Sequence, residues 1–158
     1  RQRQMCIRDR DGNINAETLM RLMRKFRTAS ELVPPPIIEI NGEDSCGIIY
    51  YGSSKPAVLE AKDILKTKDI NVDLMQIRSF PFNLDVWEFI ASHDRIYVVE
   101  QNRDSQMRTL IMAEGGISAE ILRPLVHFTG DPIEASYIVN KISEREVNYK
   151  SHKNIKER

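Results

Sequence analysis

The chain has 158 residues, 41% hydrophobic and 29% charged, the composition of a soluble globular protein large enough to bury a core without staples. Lys+Arg and Asp+Glu both number 23, so there is no basic excess of the kind that marks a nucleic-acid or anionic-membrane partner. Its two cysteines, Cys6 and Cys46, are too few for a zinc site, an iron–sulfur cluster or a disulfide framework within one chain.

Residues 1–10, RQRQMCIRDR, carry four arginines and no hydrophobic period. They resemble translated sequencing-adaptor sequence, as found at the ends of assembled metagenome fragments, and are set aside from the fold as a non-native leader. On that reading the true N-terminus of the parent protein lies upstream. No apolar run approaches the roughly 20 residues of a membrane span, and no signal peptide is visible. The expected compartment is the cytoplasm.

Residues 16–32 place Leu19, Leu22, Met23, Phe26 and Ala29 at helical spacings, opposite Arg21, Arg24, Lys25 and Arg27. Pro34, Pro35 and Pro36 stop the helix and stiffen the chain. Residues 11–36 therefore read as the last helix of a preceding domain followed by a linker. Strands and helices then alternate over 37–143. Ile37–Ile40 is a short strand ended by Asn41-Gly42. Cys46–Tyr51 is an unbroken apolar run, suited to a parallel strand buried on both faces. A helix over 56–68 buries Ala57, Val58, Ala61, Ile64 and Leu65. A strand over 72–78 follows, then Phe80-Pro81-Phe82 and a short helix with Val86, Trp87 and Ile90. The next strand is 95–100, and the next helix, with Met107, Leu110 and Ile111, ends at Gly115-Gly116. The last strand lies within 119–128, and Pro124 puts it at a sheet edge. Asp131, Pro132 and Glu134 read as the capped start of a final helix carrying Ile138, Val139 and Ile142. From Ser143 onward the chain is polar, and 144–158 is expected to fray. The alternation predicts a three-layer α/β/α domain with a mainly parallel sheet.

Function in such sheets sits at the carboxyl ends of the strands. Gly52-Ser53-Ser54-Lys55 opens a helix and suits either an anion or simply a cap that needs room, and it matches no phosphate-loop pattern. Arg78-Ser79-Phe80-Pro81-Phe82 is either core under a loop or a docking wedge of aromatics beside an arginine. Glu100-Gln101-Asn102-Arg103-Asp104 follows a buried strand. Its carboxylates, Glu100 and Asp104, are candidates for an acid/base pair, but no histidine is near in sequence, so a capping and interface loop is the better reading. His93 and His127 read as structural or surface residues, and no nucleophile, base and orienting group assemble. The candidate interface is thus Arg78, Phe80, Pro81, Phe82, Glu100, Gln101, Asn102 and Arg103, with the two stretches expected on neighbouring strands.

The stretches from Gly47 through Gly52-Ser53-Ser54, Arg78-Ser-Phe-Pro-Phe and Tyr97-Val-Val-Glu-Gln-Asn-Arg-Asp-Ser-Gln-Met resemble the 2-oxoacid:ferredoxin oxidoreductase family. The match is to the C-terminal part of its alpha subunit, a domain similar to the C-terminal domain of transketolase, and covers about residues 17–143. The family often has Gly where Ser105 stands. The resemblance implies a mixed five-stranded sheet whose first strand, Ile37–Ile40, is antiparallel. It implies a parent enzyme of the 2-oxoglutarate or pyruvate type that decarboxylates a 2-oxoacid to an acyl-CoA on thiamine diphosphate with Mg, through iron–sulfur clusters. Its implied partners are the preceding domains of the subunit, a beta subunit and, indirectly, ferredoxin. The motifs for those cofactors are not in this chain, so no catalytic, cofactor-binding or metal residue carries over. Two alternatives stand beside this: a stand-alone flavodoxin-like or Rossmann-like binding module, which needs a phosphate loop, and a receiver domain, which needs an acidic cluster where Gly52-Ser53-Ser54 stands.

Overall fold

Two apolar runs, Cys46–Tyr50 and Ile96–Glu100, set the centre of the architecture, because strands without polar alternation must be covered on both faces. In the computed structural model of the chain, which describes residues 12–42 and 46–156, they are β2 (Cys46–Tyr50) and β4 (Ile96–Glu100), and every residue of both is buried. With β1 (Ile37–Glu39), β3 (Val72–Gln76) and β5 (Leu122–Val126) they form one sheet in the order β1-β3-β2-β4-β5. β1 is antiparallel to β3 with Ile38 opposite Met75, and the other pairings are parallel, with Ile48 opposite both Leu74 and Tyr97. The expected antiparallel first strand and the edge position of the last are therefore both present. Pro124 pairs with Val98 on the one strand that flanks β5, so its missing N–H costs no second ladder.

The helices are α1 (Gly12–Leu32), α2 (Lys55–Thr67), α3 (Leu84–Ala91), α4 (Gln106–Gly115) and α5 (Ala135–Lys156). Side chains alternate across the strands. On one face Ile48, Tyr50, Leu74, Tyr97 and Val99 meet α2 through Val58, Ala61 and Leu65, and α5 through Ile138 and Ile142. On the other, a Cβ at Gly47 would lie 3.0–3.1 Å from Ile96 and Phe89, so glycine there lets α3 approach β2 closely. A Cβ at Gly115 would run into the Trp87 ring, which packs α3 against the end of α4.

The chain divides into two units, residues up to Pro34 with Ser79–Leu84, and Pro35–Arg78 with Asp85 onward. In the first, α1 has no buried residue, and Met23 and Phe26 are 72% and 54% exposed along its apolar stripe. Phe26 meets Phe80 edge-on at 5.8 Å, Phe80 meets Phe82 at 5.2 Å, and Ser79 Oγ donates to the Pro34 carbonyl at 2.7 Å. The Phe80–Pro81 peptide is cis. The second unit holds the sheet and the other helices. The leader at 1–10 lies outside the described residues.

Three expectations are corrected. The final helix begins at Ala135, not at a cap on Asp131. The Ile133 amide, which that cap would have engaged, donates instead to Gln101 Oε1 at 3.3 Å and holds the segment out of the helix. The same helix does not fray from Ser143 but runs to Lys156. Glu146, four residues past Ile142, continues the inward stripe and is 2% exposed. Finally, the strands ahead of the two candidate stretches are not neighbours, since β2 lies between β3 and β4.

Candidate functional site

β2, β4 and β5 run parallel, so the loops after them share one rim of the sheet. Glu100 ends β4 with its side chain wholly buried. Oε1 accepts from the Arg108 amide at 2.9 Å, and Oε2 accepts from the Met107 amide and from Asn102 Nδ2, each at 2.8 Å. Those amides belong to the first turn of α4, where no intrahelical acceptor exists. Glu100 therefore caps α4 from the preceding strand, and the positive end of the helix dipole favours its charge. Asn102 completes the turn, its Oδ1 accepting from the amides of Asp104 at 3.1 Å and Gln106 at 3.2 Å. The Tyr51 hydroxyl lies 3.4 Å from Asn102 Nδ2. Burial, and then the charge of Glu100, raise the Tyr51 pKa above its ordinary value.

Gln101 points the other way and joins three loops. Its Nε2 donates to Ser53 Oγ at 2.9 Å and Ser54 Oγ at 3.3 Å, and its Oε1 accepts from Ile133 N. Gly52, at φ +57°, makes the turn that presents these hydroxyls. They serve the rim itself: Ser54, at the N-cap of α2, makes no side-chain cap bond. The rim is thus bonded to itself through Glu100, Gln101 and Asn102, while Arg103 and Asp104 form an exposed ion pair at 2.7 Å. Glu100 and Asp104 do different work and make no acid/base pair.

Of the other candidates, Arg78 is exposed, Phe80 is 42% exposed, Pro81 is half-buried and Phe82 is buried. Phe80, Pro81 and Phe82 belong to the unit of α1, and Arg78 with Glu100–Arg103 to the unit of the sheet.

Sequence reasoning missed two buried polar networks at the amino ends of the strands. His93 places Nδ1 2.7 Å from the Phe89 carbonyl and Nε2 3.1 Å from Asp73 Oδ2, while Asp73 Oδ1 accepts from Asn41 N at 2.7 Å. Arg95 Nε donates to Glu146 at 3.1 and 2.8 Å, and the Tyr97 hydroxyl donates to Glu146 Oε1 at 2.8 Å. The Arg95 guanidinium stacks 4.3 Å from the Tyr149 ring centre. The signal was present: Ile142, Glu146 and Tyr149 keep helical spacing, but an acid interrupts the apolar stripe. Cys46 stands in the same region with its thiol pushed up to about 12 by burial and then by the charge of Glu146.

Cys46 is an inert core thiol, and among the described residues no three His, Cys, Asp or Glu stand together as a metal site. No described helix is long and apolar enough to cross a membrane.

Strand order, antiparallel edge and self-bonded rim together define a mixed five-stranded α/β domain without a phosphate loop. No family model matches the chain. Among curated proteins it is similar to "2-oxoacid:ferredoxin oxidoreductase 2, subunit alpha" of Aeropyrum pernix, 28% identical over 130 residues, which cover 77% of this chain and 20% of that protein. Among solved structures it is similar to the 2-oxoglutarate:ferredoxin oxidoreductase from Magnetococcus marinus, determined with 2-oxoglutarate, coenzyme A and succinyl-CoA bound. There the TM-score is 0.73 at 23% identity, covering 85% of this chain and 24% of the other. The resemblance to the alpha subunit of 2-oxoacid:ferredoxin oxidoreductases is met in the curated proteins, and the α/β fold in the solved structure. The chain spans about a fifth of the curated relative and a quarter of the solved one.

Proposed function

We propose that this chain is the C-terminal domain of the alpha subunit of a cytoplasmic, thiamine-diphosphate-dependent 2-oxoacid:ferredoxin oxidoreductase, and that its own task is structural. The parent enzyme would oxidatively decarboxylate a 2-oxoacid to an acyl-CoA, with the cofactors held by other domains and with a beta subunit and ferredoxin as partners. The observation that carries the reading is the similarity over 130 residues to an alpha subunit of that name. A matching fold over 85% of the chain supports it. The domain would orient its neighbours through the exposed members of the candidate set, Arg78, Phe80 and Arg103. Pro81 and Phe82 would shape the wedge, and Glu100, Gln101 and Asn102 would fix the rim behind Arg103. A stand-alone nucleotide-binding module has no observation in its favour, since the Ser53 and Ser54 hydroxyls are engaged by Gln101.

The test is to recover the full reading frame and express the whole subunit with its beta partner. The expected result is CoA-dependent reduction of ferredoxin by a 2-oxoacid, and inactivity with every 2-oxoacid tried would overturn the reading. Phe80→Ala and Arg103→Ala should weaken assembly of that enzyme. In the 158-residue chain the exposed Arg103→Ala should move stability by less than about 0.5 kcal/mol. Calorimetry of the chain alone should show no heat of thiamine diphosphate binding, and micromolar binding would place the cofactor site here instead.

A further inference from the structure

The first turns of α2 and α5 border a solvent-open groove of about 410 Å³. Its floor is apolar, built from buried Ala57, Ile133 and Ala135, with Pro56 exposed beside it. The charged residues that line it are both acidic and exposed: Glu60 from α2 and Glu134 just before α5. Ser136 Oγ donates to Glu134 Oε2 at 3.1 Å and holds that carboxylate in place. Gln101 sets the distance between the two walls. It donates to Ser53 and Ser54 on the α2 side and accepts from Ile133 on the α5 side. Each helix N-terminus contributes a positive partial charge of about half a unit, which the two carboxylates outweigh.

We propose that this groove seats one arginine or lysine side chain presented by a neighbouring domain or subunit. A long cationic side chain meets both halves of the site. Its methylene stem lies on the alanine and isoleucine floor, and its head reaches Glu60 and Glu134 through charge-assisted hydrogen bonds. An uncharged apolar side chain leaves the carboxylates unused, and an anion meets two like charges. The inference rests on the interface reading above and adds the chemistry of the partner. It can fail while the assignment to the oxidoreductase stands, because it is tested on this chain without any enzymatic activity.

The experiment is an amide chemical-shift titration of the 158-residue chain with three probes: the Nα-acetyl amides of arginine, norleucine and glutamate. The arginine probe should give saturable shifts at Ala57, Glu60, Ala135 and Ser136. The Glu60→Gln/Glu134→Gln variant should raise its dissociation constant roughly tenfold. The rest of the variant's spectrum reports whether it is folded, and weakening of the wild-type shifts by salt gives a second reading that needs no variant. Absence of saturable shifts with arginine overturns the proposal. So does equal binding of norleucine, which would make the groove merely apolar, or tighter binding of glutamate, which would make it a helix N-terminal anion site.

Discussion

Glu100 and Glu146 are carboxylates buried at opposite ends of the sheet, and they are satisfied by different means. At the carboxyl end, Glu100 is held by neutral donors, the Met107 and Arg108 amides and the Asn102 side chain. At the amino end, Glu146 is held by the Arg95 guanidinium and the Tyr97 hydroxyl, both buried with it. Amides at a helix N-terminus need a partner in any case, so Glu100 closes a requirement the helix already has. Arg95 has no such origin: it is a second buried charge, and its ion pair with Glu146 offsets part of its desolvation. The rim is thus built to hold the shape of a loop. The amino end is built as a latch, fastening the outer half of α5 to β4.

The latch should give the largest effect. Glu146→Ala removes the carboxylate partner of the buried Arg95 guanidinium, and should cost about 3–5 kcal/mol in a urea melt. Replacing both partners by apolar residues, Arg95→Met with Glu146→Leu, should recover most of that loss, because well-packed apolar pairs substitute for buried ion pairs at little cost. A loss below about 1 kcal/mol for Glu146→Ala, within the range of a surface ion pair, would mean that this half of α5 is not fastened. Glu100→Ala should cost less, about 1.5–3 kcal/mol for charge-assisted hydrogen bonds, because no buried cation loses its carboxylate. Its local signature is faster hydrogen exchange at the Met107 and Arg108 amides, with the amino end of the sheet unchanged. Equal effects of the two substitutions would erase the contrast.

Alkaline pH sharpens the same comparison. Burial and the Glu146 charge push Cys46 up to about 12 from 9.0 and raise Tyr97 as well, so both groups keep their protons in the folded chain after the unfolded chain has lost them. The native state then binds more protons than the unfolded state, and stability falls as pH rises. For Cys46 the contribution is intact below 9.0 and is lost as pH climbs toward about 12. The limiting slope is about 1.4 kcal/mol per pH unit for each such group. Cys46→Ala should flatten this window in melts taken across it, and an unchanged slope would separate the thiol from the alkaline loss.

Much of the sheet was legible because it depends on local pattern. Unbroken apolar runs mark β2 and β4, and Pro124 marks an edge whatever surrounds it. What escaped is what depends on partners distant in sequence. The Asp131 signal is sound as local chemistry, but Gln101, 32 residues earlier, engages the Ile133 amide and displaces the helix start. Glu146 reads as part of a polar tail until Arg95, 51 residues away, supplies its partner. At the candidate rim, composition marked the Glu100–Arg103 loop. It did not reveal that Glu100, Gln101 and Asn102 are bonded inward while Arg103 faces solvent.

The smallest effect tests which residue caps α4. Ser105 occupies the N-cap position, and serine is a favoured residue there. If its hydroxyl capped the helix, Ser105→Ala would cost about 1 kcal/mol. Yet Ser105 adopts a left-handed conformation, φ 51° and ψ 50°, and makes no side-chain cap bond. The first-turn amides go to Glu100 and Asn102 instead. Ser105→Ala should therefore change stability by less than about 0.5 kcal/mol, as at a surface position. Ser105→Gly removes a steric cost of roughly 1–2 kcal/mol for a left-handed residue but loosens the unfolded chain by about 0.4–1 kcal/mol, so it should be neutral to slightly stabilising. The two substitutions together give the decision. A loss near 1 kcal/mol in alanine, not repeated when Glu100 is already Ala, would show the hydroxyl and the carboxylate sharing the cap. Indifference to alanine in both backgrounds leaves the cap with Glu100.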